Sequence, residues 1–261
     1  MTIFGMLRIK DEARWIVDVI KAILPICERV YVLDDHSSDF TPELVEQMDE
    51  RVTLYHSQFE GINETRDKSY LLDRIMQNVS DLHLRGNPAS PYWVLAIDGD
   101  ELLAEGGCDT IRQTLHETDR QAFKLPIKYL WDARDKVRVD GVYANFARPS
   151  IFRLMNSKFR FQETPWGGNF HCSSIPQELL HQAHGTCQAP ILHLGYMDVV
   201  DRLRKHAWYN TIDPHNAVED EYRHVIQGDP GGPPADAYLL HAGPLEIQSL
   251  QGEAVSLPLA A

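Results

Sequence analysis

Apolar and polar positions alternate between two periods over the first hundred residues. "TIFGMLRI" is a short apolar run suited to a buried strand. "KDEARWIVDVIKAIL" then switches to helical spacing, with Ile16, Ile20, Ile23 and Leu24 recurring on one side and Pro25 closing the element. "ERVYVLDDHSSDFTPELVEQM" repeats the order: a strand over Val30 to Leu33, a polar turn, and a helix for which Thr41 is the expected N-cap, Pro42 the first helical residue and Glu43 the first-turn acid. A third unit offers "RVTLYHS" as strand, "QFEGINETRD" as loop, and a helix from about Lys68 to Val79 with Leu71, Leu72, Ile75 and Met76 on one side. "LRGNPASP" leads into a fourth strand, "YWVLAI". Strands alternating with helices in this way predict an α/β fold built on a Rossmann-like, doubly wound, mostly parallel sheet. Ligands of such sheets bind beyond the carboxyl ends of the strands, and "RIKDE", "DDHSSD" and "DGDE" all fall at that edge.

Past residue 120 the alternation decays into a more irregular half. "AFKLPIKYLW", "VRVDGVYANFA" and "SIFRLM" read as short strands, and "FRFQETPWGGNFHCSSIP" as a turn-rich segment. "MDVVDRLRKHAWYNTI" predicts a helix with Val199, Val200, Leu203 and Ala207 on one face and Arg202, Lys205, His206 and Tyr209 on the other. From Gln227 the Gly/Pro-rich "GDPGGPPADAY" reads as a linker into a C-terminal arm packed on the domain or on a partner. The expected division is a main domain over 1–226, with halves 1–105 and 106–226, and a linker and arm over 227–261. A homo-oligomer stays open.

Length and charge narrow the function. The chain has 261 residues, 43% of them hydrophobic, enough for a substantial core. A formal charge of -13 argues against broad adhesion to nucleic acid or anionic lipid, which needs a positive surface field. Cys27, Cys108, Cys172 and Cys187 lack the spacing of a zinc site or a disulfide framework, so reduced thiols are expected. No apolar run is long enough to span a bilayer, and the N-terminus turns charged too soon for a secretory signal. A soluble, cytoplasmic protein is the expectation.

The chemistry sits in the acidic turns. In "YWVLAIDGDELL" five apolar residues are followed by Asp98, Asp100 and Glu101, and crowded carboxylates at the end of a buried strand need either full solvation or a positive partner. A divalent cation such as Mn2+ or Mg2+ suits them, since hard cations take oxygen ligands and often only one or two carboxylates plus substrate phosphates. Asp98 and Asp100 are sent to the same side by the strand period, and Gly99 lets the backbone pass close to a ligand. Asp34 and Asp35 end another apolar strand, and two acidic strand ends on one edge make a cleft with room for a nucleotide.

"VLDDHSSDFTPE" resembles the "DDGSxDxT" segment of family 2 glycosyltransferases with a GT-A fold, and "VLAIDGDELL" resembles their DxD strand. "RIKDE" and "FEGINETRD", with Asn63 and Arg66, fall in the matching order. The resemblance covers residues 3–105 and is loose beyond them. It implies a hexosyltransferase-like activity, the metal-dependent transfer of a sugar from a UDP- or GDP-sugar to an acceptor hydroxyl on a saccharide, a lipid-linked carrier or a protein. It implies nucleotide binding by Arg8, Lys10, Asp34, Asp35, Arg66 and Asp98, with Asp98 and Asp100 on the metal. His193, after "PIL", is a candidate third metal ligand, and Arg202 and Lys205 are candidates for the diphosphate. Glu163, His171 and Asp132 are candidates for the general base, and Trp166 for stacking on an acceptor sugar. His36 stands where that family has a glycine, and Phe40 where a second glycine is common. Two other readings compete: a haloacid dehalogenase-like phosphatase with Asp98 as nucleophile, and a non-catalytic module that binds nucleotide sugars.

Overall fold

The computed structural model describes residues 1–84, 91–116, 118–155, 159–162, 172–213 and 222–250. Its first half contains β1 (Thr2–Ile9), α1 (Ile16–Ile23), β2 (Arg29–Asp34), α2 (Thr41–Glu46), β3 (Val52–His56), α3 (Glu64–Leu84) and β4 (Tyr92–Asp98). β1 lies between β2 and β4 and runs parallel to both, with β3 parallel to β2 on the outside. Along β1, Ile3, Leu7 and Ile9 join the core cluster that holds Ile16, Val19, Ile20 and Ile23 of α1. Phe4 and Met6 point the other way, toward Leu71, Leu72 and Ile75 of α3. Burial on both faces explains why these strands read as continuous apolar runs.

The second half contains β5 (Glu101–Leu103), α4 (Gly107–His116), β6 (Ala122–Trp131), β7 (Ala133–Arg138), β8 (Ala147–Arg153), α5 (Gln177–Leu180), β9 (Gly185–Thr186), β10 (Ile191–His193), α6 (Val199–Ile212) and β11 (Ile247–Ser249). β8 enters antiparallel between β4 and β6, so the sheet is parallel in its first half and mixed in its second. β10 pairs antiparallel with β5 and parallel with β6, which sets His193 opposite Glu101 and beside Tyr129. Two distant segments thereby meet at the carboxyl end of β4. Among the described residues no helix is long and apolar enough to cross a membrane.

Several elements differ from the sequence expectation, each for a local reason. Residues 10–15 form a turn instead of the start of α1: Asp11 sits at φ 54, and the Glu12 carbonyl accepts from the backbone N–H groups of Trp15 and Ile16. Thr41 is the first helical residue of α2, because its hydroxyl accepts from the Glu12 N–H at 2.8 Å, and Asp39 takes the Thr41 N–H at 2.9 Å in its place. α3 begins at Glu64, capped by the Asn63 side chain, which accepts from the Arg66 N–H at 2.8 Å. "VRVDGVYANFA" is broken at Gly141 (φ 50), where a Cβ would lie 2.4 Å from the His241 carbonyl oxygen, and β5 and α4 have no counterpart in the sequence reading.

α6 is turned about its axis relative to expectation. Val200 is 76% exposed and Arg202 only 1%. The Arg202 guanidinium donates to Asp229 at 2.6 and 2.7 Å, to Asp132 at 2.8 Å and to the Tyr196 and Met197 carbonyls, and it lies 4.3 Å from the centre of the Trp131 ring. Buried charges paired this well outweigh the few apolar residues of the helix, so its polar face packs inward.

The segment 222–250 is pinned to β7 by similar means. Arg138 donates to Asp140 and to the His224 carbonyl, and Gln227, fully buried, donates to the carbonyls of Ala235, Ala237 and Gly243. β11 pairs antiparallel with β7. The His224 ring accepts or donates at 2.5 Å with the Tyr143 hydroxyl, and burial, with Arg138 and His241 nearby, pushes it down to about 3. An unfolded histidine takes a proton near pH 6.5 that this one refuses until about pH 3, so its contribution is complete above pH 6.5 and is lost as the solution is acidified. Between pH 6.5 and 5 this site should cost about 1–2 kcal/mol of stability. Urea unfolding of wild type and His224→Gln should show that much less acid sensitivity in the variant; equal slopes would contradict the assignment.

Candidate active site

β4 ends at Asp98, the chain turns at Gly99 and Asp100, and Glu101 opens β5. The crowded carboxylates are offset by side-chain cations brought from elsewhere in the sequence. Arg148, on the antiparallel neighbour β8, donates to Asp98 at 3.0 Å and to Glu101 at 2.5 Å. Lys205, from the inward face of α6, donates to Asp100 Oδ2 at 2.5 Å and lies 3.7 Å from Glu12. His193 Nε2 is 3.5 Å from the same Asp100 oxygen. Space is cleared by two glycines: a Cβ at Gly99 would come within 2.9 Å of Glu12 Cγ, and one at Gly195 within 2.0 Å of Asp100 Oδ2 and 2.6 Å of Lys205 Nζ.

This crowding sets the protonation states. Burial works to raise both aspartates, but Lys205 holds the Asp100 carboxyl well below the usual range, and Arg148 with Lys68 lowers that of Asp98. Glu101 is pushed up to about 7 by burial, with Asp98 and Asp100 adding to the effect against Arg148. Glu12 is pushed up to about 8 by burial and by Asp100. Burial takes His193 down to about 4, which leaves a neutral imidazole at neutral pH. Its Nδ1 is buried with no hydrogen-bond partner among the described residues.

At the other strand end, Arg8 bridges two acids, pairing with Asp35 and donating to Asp67 at 3.0 Å. Lys10 Nζ donates to the Asp35 carbonyl at 2.7 Å and to the His36 carbonyl at 3.2 Å. His36 adopts φ 57, the left-handed conformation that a glycine would supply at no cost. Its ring meets the Phe59 carbonyl at 2.8 Å. Asp34 is turned into the loop, 3.8 Å from His56, with the Ser37 N–H donating to it.

A cavity of about 310 Å³ opens over this edge, lined by Arg8, Glu12, Lys68, Asp98, Asp100 and His193 on the sheet side and by Arg204, Lys205, Trp208 and Tyr209 of α6. A second, of about 370 Å³, is lined by Asp35, His36, Glu60, Gly61, Ile62 and Ile212. Lys10 and Trp208 line both. The structure thus brings together Arg8, Lys10, Asp35, Asp98, Asp100, His193 and Lys205.

Other sequence candidates are placed elsewhere. Arg66 lines neither cavity: it donates to Asp67 at 2.8 Å and to the Gly61 carbonyl at 3.2 Å, and it covers the Phe59 ring, so it braces the 59–61 loop. Asp132 and Arg202 pair with each other away from the cavity lining. Glu163, Trp166 and His171 lie outside the described residues. Sequence reasoning missed Arg148, Lys68, Glu12 and Trp208. Only Glu12 carried a signal, as part of the polar cluster after β1.

Asp98 and Asp100 supply oxygen donors of the kind a hard divalent ion takes, and His193 a nitrogen donor. Among the described residues no three potential ligands converge on one point, but Asp100 and His193 present an oxygen and a neutral nitrogen 3.5 Å apart, with Asp98 beside them and an open cavity in front. An ion of the Mg2+ type uses one or two protein carboxylates and completes its shell with water and phosphate oxygens. Lys205 already occupies Asp100 Oδ2, so an arriving cation shares or takes over that charge.

No protein-family model matches the chain, and no curated protein matches it in sequence. Its shape does have counterparts. The structure of S. aureus TarS 1–349 in complex with UDP-GlcNAc aligns with a TM-score of 0.51 and 11% identity over 85% of this chain and 70% of that one. The longer S. aureus TarS chain aligns with a TM-score of 0.51 and 12% identity over 85% of this chain and 42% of its own length. In the TarS 1–349 structure with UDP the match is shorter, over 59% of this chain and 47% of that one, so the share of the TarS chains that this protein spans runs from 42% to 70%. A slighter likeness, with a TM-score of 0.34 and 21% identity over 49% of this chain and 44% of the other, links it to glucosyl-3-phosphoglycerate synthase from Mycobacterium tuberculosis, solved with Mn2+, UDP and glucosyl-3-phosphoglycerate. The TarS likeness shows the fold alone: a mixed α/β fold of the GT-A type.

Arg148 gives the cluster its sharpest test. Arg148→Met leaves Asp98 and Glu101 without their shared guanidinium and should cost about 1–3 kcal/mol in urea unfolding, below the full cost of breaking a buried ion pair because only Glu101 is fully buried. Burial holds Glu101 up at about 7 and Arg148 favours its ionised form, so the loss on removing Arg148 should be larger at pH 8, where Glu101 is ionised, than at pH 6. A cost below about 1 kcal/mol would mean the carboxylates are neutralised in another way.

Proposed function

We propose that this protein is a metal-dependent glycosyltransferase of family 2 type, which moves a sugar, a hexose by expectation, from a UDP- or GDP-sugar to an acceptor hydroxyl. The observation that carries this reading is the pair of adjoining cavities, one at Asp35 and the other at Asp98, Asp100 and His193, joined through Lys10 and Trp208. Their layout suits a base at one end and a diphosphate sugar at the other. The GT-A type fold, seen in TarS with UDP-GlcNAc, supports it.

In this reading Arg8 and Lys10 position Asp35 toward the base. Asp98, Asp100 and His193 hold Mn2+ or Mg2+, which supplies charge neutralisation for the departing diphosphate. Lys205 and the neighbouring Arg204 contribute cationic charge to the same leaving group. Arg202 is assigned to holding α6, since its guanidinium is committed to Asp229, Asp132 and two carbonyls. Glu163 and His171 keep the role of general base, the group that accepts the acceptor's proton. Asp132, tied to Arg202, is left out of it. The phosphatase reading needs Asp98 free as a nucleophile, whereas Arg148 donates to that carboxylate, and it gives the Asp35 cavity no role.

Thermal unfolding with UDP or GDP, with and without Mn2+, tests the proposal. At about 100 times the Kd a ligand adds about 2.7 kcal/mol, which for a chain of this size raises Tm by roughly 5 °C or more. The rise should need the metal in wild type and disappear in Asp100→Asn, and slow hydrolysis of the sugar donor should separate an enzyme from a binding module. No stabilisation by either nucleotide would sink the proposal.

A further inference from the structure

Lys205 stands between two carboxyl groups and is held by only one of them. Its Nζ donates to Asp100 Oδ2 at 2.5 Å and lies 3.7 Å from Glu12 Oε1. Glu12 is 9% exposed and lines the cavity at Asp100. Among the described residues its side chain has Lys205 as its one ion-pair partner and accepts no hydrogen bond. A buried carboxyl group left without a close partner is costly to keep.

Both positions are cleared by glycines. A Cβ at Gly195 would lie 2.6 Å from Lys205 Nζ and 2.0 Å from Asp100 Oδ2, and one at Gly99 would lie 2.9 Å from Glu12 Cγ. Gly195 thus opens the seat at Asp100, and Gly99, between the two aspartates, opens the seat at Glu12. A shift of Nζ by about 1 Å would turn the separation from Glu12 into a charge-assisted hydrogen bond. The helix itself stays in place, since Arg202 ties α6 to Asp132 and Asp229, so the flexible stem of Lys205 makes the move.

We propose that Lys205 is a built-in competitor for the cation at Asp100, and that Glu12 is the positioning residue that receives it when a divalent ion binds. The proposal deepens the glycosyltransferase reading and rests on it. Two cations on one carboxylate oxygen repel each other strongly, so the ammonium has to leave as the ion arrives. Glu12 keeps it on the wall of the cavity, beside Arg204, where the diphosphate of the donor would meet it. The diphosphate draws Lys205 off Asp100 in the same way. Metal uptake is therefore weak alone and strong with the nucleotide, and Lys205 sets the difference.

Electron paramagnetic resonance, in which the signal of free Mn2+ falls as the ion binds, tests it on the full chain at pH 8, where Glu12 can ionise. Lys205→Gln keeps a donor for Asp100 and removes the charge. It should bind Mn2+ without nucleotide about tenfold or more tighter than wild type. Glu12→Gln should bind it about threefold or more weaker, and that loss should vanish in the double variant, because Glu12 acts through Lys205. Wild-type Mn2+ affinity in Lys205→Gln would overturn the competitor role. An equal Glu12→Gln loss in both backgrounds would overturn the role of Glu12 and mark it as a plain negative charge. Either result leaves the transferase reading intact so long as UDP brings Mn2+ to the wild-type protein; a wild type that takes up no Mn2+ with UDP would overturn both. Should Lys205→Gln fail to fold, Glu12→Gln decides alone, since it leaves the Lys205–Asp100 pair in place: unchanged Mn2+ affinity would overturn the proposal.

Discussion

Acidic side chains packed at the end of a buried strand must bring their counter-charges with them, and much of the second half of this chain is arranged to deliver them. Asp98, Asp100 and Glu101 close the apolar run of β4, and Arg148 and Lys205 reach them from β8 and from α6. The antiparallel insertion of β8 beside β4, the inward polar face of α6 and the absence of a side chain at Gly99 and Gly195 all serve that one electrostatic requirement. Removing two charges from water is expensive, and close pairing in low dielectric recovers the cost only when the geometry is good. The short donor distances around Asp100 and Glu101 meet that condition.

The same requirement leaves the site poised for a ligand. Internal cations keep Asp98 and Asp100 ionised, burial keeps His193 neutral, and the cavity in front of them is lined by further lysine and arginine. A phosphate-bearing ligand would add negative charge where cations are already collected, and a metal ion would add positive charge where carboxylates are already ionised. Each would make the other more favourable, so under the proposed function a nucleoside diphosphate and a divalent ion would bind together. The net charge of -13 gives the protein no general attraction for anions, so this local collection of cations has to do the work.

The parallel half of the fold was legible because its signals are local. Strand and helix periods placed β1 to β4, Ile16, Ile20 and Ile23 on the buried side of α1, and Asp35, Asp98 and Asp100 at one edge of the sheet. What could not be read depended on contacts distant in sequence. Arg148 lies 50 residues after Asp98 and reaches it only because β8 pairs with β4. Val199, Val200, Leu203 and Ala207 suggested the wrong inward face for α6, since nothing near Arg202 in the sequence announces Asp229 or Asp132 as its partners. Thr41 lost its expected capping role to Asp39 because Glu12, 29 residues earlier, claims its hydroxyl. At His36 the resemblance called for a glycine, and the backbone takes the glycine-like φ of 57 all the same.

Anomalous diffraction from crystals of the protein grown with UDP and Mn2+ addresses the central claim most directly. The account expects a manganese peak within bonding reach of Asp100 and His193, with the diphosphate beside Lys205 and the base over the cavity at Asp35. A nucleotide bound elsewhere, or a structure in which Lys205 remains the sole cation on Asp100 with no metal at His193, would contradict it.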